Sequence, residues 1–307
     1  MSRVALCLAA TVPLVCLGSH RADAVYSERA CRNLEQSFEQ IERGASTVEV
    51  NLKLFAAADK GCLDLAKLVL KHGASVDARD GTGKRPLTRA AAAGHEDIVT
   101  LLIEHGAPVD ARDLDGSTAL FKAAETGRLP VVQLLVARGA DVNLPGRNAI
   151  TPIAAASFMG SAPIVEFLIE KGADPNGIDG TKKSPIVYAA GHGFTPVVRI
   201  LLDHGVDVNA KYGNDLTALM WAAGYSAEAG VKDAISVMTL LIERGAKLDE
   251  QDNRGRTALM IAAELNHAAA ADLLIERGAD KSLKDKQGKT AGDLTTLTAL
   301  REELLSH

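Results

Sequence analysis

The segment that decides the fold is residues 118–143, TALFKAAETGRLPVVQLLVARGADVN, because it holds one complete unit of a pattern that recurs along the chain. The small pair Ala123-Ala124 lets neighbouring helices approach closely, and Gly127 ends a first short helix. The aliphatic residues that follow are spaced as on one face of a second helix, which ends at Gly139. The segment therefore predicts two short helices separated by a turn.

A closing dipeptide, glycine followed by alanine or valine, repeats along the chain. Its glycines are Gly73, Gly106, Gly139, Gly172, Gly205, Gly245 and Gly278, separated by 33 residues except for one interval of 40. A second series in phase with it consists of Gly61, Gly94, Gly127, Gly160, Gly193 and then Asn266, a residue that also tolerates left-handed backbone geometry. Such a period is typical of a solenoid of stacked units.

Two further features mark the limits of each unit. Thr151 and Pro152 supply a capping hydroxyl and a proline suited to the first position of a helix. Residues 111–116, ARDLDG, are rich in Asp and Gly, as a tight hairpin turn requires. Each unit is therefore predicted to be turn, helix, turn, helix.

The combined pattern resembles the ankyrin-repeat motif: Thr-Pro-Leu/Ile, a small pair, Gly, an aliphatic run, then Gly-Ala-Asp and Val-Asn, as in residues 139–143. The resemblance covers roughly residues 46–296. It implies an all-α solenoid of stacked helix-turn-helix units with hairpin turns, about seven repeats plus terminal caps. The histidine that follows Thr-Pro-Leu in the family is replaced here, and we expect apolar packing to substitute for its hydrogen bonds. The replacements are Thr88, Phe121, Ala154, Val187, Met220 and Met260.

The two ends of the array are predicted to be caps, because terminal repeats lack an outer neighbour. Residues 25–45 carry an apolar stripe of Leu34, Phe38 and Ile41, which we interpret as a capping half-repeat. Residues 46–287 are assigned to the repeats and residues 288–307 to a C-terminal cap.

Residues 1–24 predict a secretory signal peptide that is cleaved after Ala24. Arg3 gives a positively charged start, residues 4–17 are apolar, and Ala22 and Ala24 place small residues before the cleavage point. The apolar stretch, about 14 residues, is shorter than the roughly 20 that a membrane-spanning helix needs. An uncleaved anchor or a buried helix is the alternative. We therefore expect an exported protein, periplasmic in a Gram-negative host or secreted, with no stable membrane anchor after cleavage.

Cleavage after Ala24 would leave two cysteines, Cys31 and Cys62, in the mature chain. In an oxidising compartment such a pair usually closes into a disulfide, which would join the N-terminal cap to the first full repeat. Two separately buried thiols are the alternative. A metal site is disfavoured, because neither cysteine has histidine partners at ligand spacing.

Composition and motifs give no support for catalysis. The net charge of −5 and the lack of any Lys/Arg run disfavour a nucleic-acid partner. Gly288-Lys289-Thr290 resembles the end of a phosphate-binding loop, but Leu283 stands where that motif needs glycine. Three histidines precede closing glycines, a place that favours interaction with the helix C-terminus over metal binding: His72, His105 and His204. We expect no enzyme activity, cofactor or metal.

The resemblance implies that the chain binds a protein partner, which it would hold, protect or recruit, through its concave side and hairpin tips. We expect a monomer. An intracellular scaffold whose N-terminus only imitates a signal is the alternative function. Aromatic and cationic side chains come first as contact residues. The candidates are Arg89, Lys122, Arg147, Asn148, Phe158, Met159, Lys182, Lys183, Tyr188, His192, Tyr212, Asn214, Trp221 and Tyr225. For Tyr188 and Trp221 the alternative is filling gaps between stacked helices, and for the charged residues it is a solvated tip.

One unit is longer than the others by seven residues. The extra residues are predicted to lie between Ser226 and Ala234, in the loop that joins the two helices of that unit. Loops that accept insertions are either tolerant or functional, so this loop is a further candidate for binding.

Overall fold

The computed structural model describes residues 16–225 and 229–305, with side chains from residue 28 onward. In chain order the helices are α1 (Cys16–Glu39), α2 (Thr47–Lys60), α3 (Leu63–Lys71), α4 (Pro86–Ala93), α5 (Glu96–Glu104), α6 (Ala119–Glu125), α7 (Leu129–Ala137), α8 (Pro152–Phe158), α9 (Ala162–Glu170), α10 (Pro185–Gly191), α11 (Thr195–Asp203), α12 (Ala218–Ala223), α13 (Val231–Glu243), α14 (Ala258–Glu264), α15 (Ala268–Glu276), α16 (Ala291–Leu294) and α17 (Thr298–Leu305). Within the described residues there is no β-strand, and the predicted all-α class is confirmed.

The helices after α1 form two parallel rows. The even-numbered helices stack on one another as an inner row, and the odd-numbered helices form an outer row. The inner helices carry the small pairs, for example Ala123-Ala124 and Ala189-Ala190, all fully buried, and they approach each other more closely than the outer helices do. The stack therefore bends toward its inner row, and the inner helices face the concave side.

The two glycine series occupy the backbone geometry that the sequence predicts. All seven closing glycines have φ between 84° and 90°, in the left-handed region that ends a helix without steric cost. Asn266 continues the second series with φ 57°. The helix starts are also confirmed: the Thr151 side chain accepts a hydrogen bond from the Ala154 N–H, and Pro152 takes the first helical turn.

The long unit differs from the prediction in one respect. Helix α12 ends at Ala223, and α13 begins at Val231, three residues before Ala234. Helix α13 has 13 residues, whereas outer helices such as α11 have nine. The insertion therefore divides between the connecting loop and an extra turn of helix. Residues 226–228 of the predicted insertion lie outside the described residues.

The N-terminal cap is built by α1, which packs against α2 and α3. The structure pairs Cys31 with Cys62 in a disulfide, and the fully buried Phe38 lies with its ring centroid 5.6 Å from that of His72. Residues 1–15 of the predicted signal peptide lie outside the described residues, and α1 runs without interruption past the predicted cleavage point after Ala24. Among the described helices, none is both long and apolar enough to cross a membrane.

Hairpin turns join each outer helix to the next inner helix, and most of them are organised by one aspartate. In the first, the Asp80 carboxylate accepts hydrogen bonds from the backbone N–H groups of Thr82 and Lys84 and from the Arg89 guanidinium, at 2.6–3.0 Å. Burial opposes the ionisation of Asp80, but these hydrogen bonds outweigh it and lower its pKa to about 2. The charged carboxylate thus holds the turn together.

We expect the stability of this turn to fall in acid. Because the folded pKa of Asp80 lies below its unfolded value, its contribution is complete above about pH 4 and is lost as the pH falls toward about 2. Asp80→Asn should reduce stability at neutral pH and flatten the pH dependence across that window, as measured by urea midpoints. A pH profile parallel to that of the unaltered protein would contradict this role.

Candidate functional site

A cavity of about 220 Å³ opens on the inner face of the stack, between α6 and α10. Its lining consists of Phe121, Glu125, Arg147, Ile150, Ala154, Ala155, Phe158 and Tyr188. Most of these side chains are apolar, and the only charged ones are Glu125 and Arg147. We call this cavity the α8 pocket, since α8 lies between the two helices that border it.

The α8 pocket exists because one inner helix carries a small residue where its neighbours carry large ones. The matching position, found by the repeat period, holds Lys122 in α6 and Tyr188 in α10, the two neighbours of α8. Further along the stack it holds Ala56 in α2, Arg89 in α4, Trp221 in α12 and Ile261 in α14. In α8 it holds Ala155. The missing side-chain volume leaves a recess between the taller residues on both sides.

One wall of the recess is the ring of Phe121, which is only 1% exposed. The ring packs so closely under the next hairpin that a Cβ on Gly146 would overlap it. The Gly146 N–H donates a 2.8 Å hydrogen bond to the Ile150 carbonyl, closing the hairpin above the ring. Apolar packing by Phe121 therefore supports this hairpin, as the sequence predicts for the position where the family has histidine.

The charged side chains at the rim of the α8 pocket form ion pairs with one another. The Glu125 carboxylate lies 2.6 Å from Nζ of Lys122 and 2.7 Å from a guanidinium nitrogen of Arg147. Arg147 nevertheless keeps 52% of its side chain exposed. Two cations thus share one carboxylate at the mouth of the pocket.

The opposite wall is Tyr188, whose orientation is set from two sides. Its hydroxyl donates a short hydrogen bond to the Asp179 carboxylate, and its ring meets that of Phe158 edge-on with centroids 5.7 Å apart. Burial and then the hydrogen bond to Asp179 raise the pKa of Tyr188 to about 12. Tyr188 therefore presents a fixed, neutral ring to the pocket.

The raised pKa gives a direct test of this wall. Among the four tyrosines of the chain, we expect Tyr188 to ionise near pH 12 in an ultraviolet titration of tyrosinate absorbance. The stability that it contributes is complete below about pH 10 and is lost as the pH rises toward about 12. Tyr188→Phe should reduce the amplitude of late ionisation by one tyrosine, and Asp179→Asn should move the Tyr188 step to lower pH. Tyr212 also ionises late, because burial raises its pKa. A late step unaffected by either change would contradict the geometry.

A row of rings continues from Phe158 toward the turn that joins α10 to α11. The His192 ring lies 4.7 Å from the Phe158 ring, and the Phe194 ring stacks 5.9 Å beyond His192. Phe158 and Met159 are 44% and 49% exposed, which is high for large apolar side chains. The pocket therefore opens beside an exposed apolar surface.

Lys183 connects Tyr188 to the next inner helix. Its Nζ lies 5.4 Å from the Tyr188 ring centroid and 4.9 Å from that of Trp221, within the range of cation–π interaction. The structure thus places three of the predicted contact residues in the lining of the recess, Arg147, Phe158 and Tyr188. Two more pack against these rings, Lys183 against Tyr188 and His192 against Phe158.

Comparison with known proteins settles the family. The family model described as ankyrin repeats matches the chain three times, over residues 54–146, 152–233 and 224–285. The chain belongs to the ankyrin-repeat family. Among solved structures, the human ASB11 ankyrin repeat domain is similar, at 28% sequence identity and a TM-score of 0.66, over 72% of this chain and 97% of that one. No curated protein sequence shows a significant match. Ankyrin repeats indicate a protein–protein interaction module, on a fold that is typically a non-enzymatic scaffold.

Two predicted contact residues of the ankyrin array line a different cavity. Arg89 and Lys122 border a polar space of about 470 Å³. Arg89 pairs with the carboxylates of Asp59 and Asp80, and Lys122 pairs with Glu125. A ligand in this space would have to compete with ion pairs that the chain already makes.

Three predicted residues lie at the tips of successive ankyrin hairpins. Asn148, Lys182 and Asn214 are exposed, and each has a positive φ, between 56° and 64°. Backbone hydrogen bonds of 2.9 Å join these tips, from the Gly180 N–H to the Asn148 carbonyl and from the Gly213 N–H to the Lys182 carbonyl. The tips form a continuous edge beside the α8 pocket.

The remaining predicted residues pack within the ankyrin array. Tyr212 is only 8% exposed, so its ring belongs to the core and offers no open face to a partner. Tyr225 stacks on His267 with centroids 3.9 Å apart. The indole nitrogen of Trp221 is buried and has no hydrogen-bond partner among the described groups.

Sequence reasoning missed five lining residues: Phe121, Glu125, Ile150, Ala154 and Ala155. Four of them are ordinary core or surface types that give no signal alone. The one usable signal was Ala155, which differs from the larger residues Arg89, Lys122, Tyr188 and Trp221 at the matching positions of the two inner helices before it and the two after it.

The histidines before the closing glycines cap helices. His72, His105 and His204 each follow the last residue of an outer helix, and the Nδ1 atoms of His72 and His105 lie 2.8 Å from the carbonyl oxygens of Leu68 and Leu101. No group of three metal-ligating side chains occurs within the described residues.

Proposed function

We propose that the chain is a non-enzymatic binding module that holds a protein partner across the inner face of its central repeats, with the α8 pocket at the centre of the contact. The observation that carries this proposal is the recess at Ala155, bordered by the rigid ring of Tyr188 and by the exposed Phe158. Interfaces of this kind draw most of their affinity from a few large side chains that fill pockets.

The size of the pocket favours a protein partner over a small molecule. Pockets for drug-sized ligands are generally about 300–1,000 Å³, and the α8 pocket is smaller, at about 220 Å³. It is large enough for one side chain of a partner, and the surrounding hairpin tips and exposed rings extend the contact beyond it.

Site-specific photocrosslinking in the host tests this placement. Benzoylphenylalanine is introduced at position 158, and in a matched variant at Gln133, an exposed residue of α7 in the outer row. We expect discrete crosslinked species from position 158 and none of the same mass from position 133. Equal crosslinking from both positions, or none from position 158, would refute binding at the inner face.

We further propose that the chain is exported, with residues 1–24 removed. The apolar N-terminal stretch and its small residues support export, and the Cys31–Cys62 disulfide suits an oxidising compartment. The intact mass of the protein recovered from host fractions without reductant tests this. A mass lacking residues 1–24 and the two hydrogens of a disulfide supports export. Full length with free thiols would favour an intracellular scaffold instead.

A further inference from the structure

We propose that the α8 pocket accepts one large aliphatic or aromatic side chain from a partner segment that carries carboxylates beside that side chain. This inference rests on the proposed protein-binding function and adds the chemistry of the bound segment. An acidic segment with one apolar anchor is therefore the expected ligand of these repeats.

The walls of the α8 pocket favour an apolar side chain as the anchor. Ala154 and Ala155 form its base, and the rings of Phe121, Phe158 and Tyr188 surround it. Water in such a recess finds few hydrogen-bonding partners, so an apolar side chain that displaces it gains free energy. The 470 Å³ cavity beside α4 differs, since charged groups such as Arg89 and Asp59 occupy its lining.

The charges that surround the pocket favour carboxylates beside the anchor side chain. The three inner helices that border it and the hairpins before them, residues 111–125, 146–158 and 179–191, carry five cations and four carboxylates. All four carboxylates are engaged within the chain: Glu125 with Lys122 and Arg147, Asp113 with the Arg85 N–H and the Thr88 hydroxyl, Asp115 with the Ser117 N–H, and Asp179 with the Tyr188 hydroxyl and hairpin N–H groups. This region is thus slightly positive, within a chain whose net charge is −5.

Two of these cations are placed to meet a partner's carboxylate. Lys183 lies over two aromatic rings, and no described carboxylate forms an ion pair with its Nζ. Arg147 shares the Glu125 carboxylate with Lys122 and is half exposed. Opposite charges across an interface increase the association rate and select among partners, so carboxylates next to the anchor would favour binding.

Short, terminally blocked peptides are the probes for this inference. One carries a central leucine flanked by glutamates, the second a central leucine flanked by lysines, and the third a central alanine flanked by glutamates. Binding is followed by amide and methyl NMR shifts of the full chain. We expect the first peptide to bind with a dissociation constant of about 1 mM or tighter. We expect the lysine peptide to bind about threefold or more weakly, and added salt to reduce that difference.

Three variants test whether the peptides bind in the α8 pocket. Ala155→Leu fills the pocket, and the fold should accept it because matching helices carry Lys122 or Tyr188 there. This substitution should lower the affinity for the peptide with leucine flanked by glutamates at least about tenfold. Ala137→Leu, at an exposed position of α7, should leave the affinity for that peptide unchanged. Lys183→Gln should reduce the preference for peptides with flanking glutamates over those with flanking lysines. The preference for a central leucine over a central alanine should remain.

The outcomes separate this inference from the proposed function. Equal binding of the two leucine peptides would refute the acidic part, and equal binding of the leucine and alanine peptides would refute the anchor. Shifts that persist in Ala155→Leu, or no shifts at the pocket, would refute the pocket as the anchor site. If crosslinking at position 158 succeeds after such a result, the proposed protein binding at the inner face is retained, and only the proposed acidic segment with an apolar anchor is refuted.

Discussion

Replacing Cys31 with serine is expected to lower the free energy of unfolding of the N-terminal cap by about 3 to 4 kcal/mol. The Cys31–Cys62 disulfide spans 31 residues of sequence, and its loss frees the unfolded chain to sample more conformations. The cap depends on this link because it packs against the array through a single helix, α1. Since repeat arrays unfold locally, amide hydrogen exchange in α1 and in the helices it packs against, α2 and α3, should accelerate more than exchange in α9 and α11.

Cys62→Ser is the matched control for this prediction. It should lose at least as much, because Cys62 is only 2% exposed and a serine hydroxyl there is buried. The double variant should lose clearly less than the sum of the two single losses, since each change breaks the same bond. Reductant added to the unaltered protein should reproduce the effect. Protection of α1, α2 and α3 unchanged in both single variants would show that the disulfide does not stabilise the cap.

Replacing Phe121 with alanine is expected to destabilise the central repeats by about 3 to 5 kcal/mol. The ring is almost fully buried, lies under the hairpin at Gly146 and forms one wall of the α8 pocket. Its removal would leave a cavity beneath the hairpin and enlarge the pocket. Urea unfolding measures the loss, and hydrogen exchange at the Gly146 and Ile150 amides locates it.

Phe121→Leu is the comparison variant. It retains part of the apolar volume and should lose clearly less stability than Phe121→Ala, because the cost follows the size of the cavity. A loss below about 1 kcal/mol for the alanine variant would mean that the hairpin does not depend on this ring.

The repeated architecture could be predicted from the sequence because each feature of it is local. A closing glycine, a capping threonine or an alanine pair acts within a few residues, and the period repeats the signal seven times. The left-handed closing glycines and the helix starts are accordingly found where the sequence places them.

The α8 pocket could not be predicted in the same way, because it depends on contrasts between units. Ala155 is an unremarkable small residue until Phe121 and Tyr188 stand on either side of it. The burial of Tyr212 and the division of the insertion between loop and α13 also depend on neighbouring units. Tyr212 was predicted to contact a partner because it is aromatic, and that prediction overestimated its exposed surface.

The most direct test of inner-face binding is the affinity of the crosslinked partner, once isolated, for two single variants measured by calorimetry. Phe158→Ala removes an exposed ring beside the α8 pocket, and Gln133→Ala changes the outer row. Both should keep the melting temperature of the unaltered protein. We predict that Phe158→Ala weakens binding by about tenfold or more while Gln133→Ala has no effect. Equal affinity of the two variants would contradict binding at the inner face.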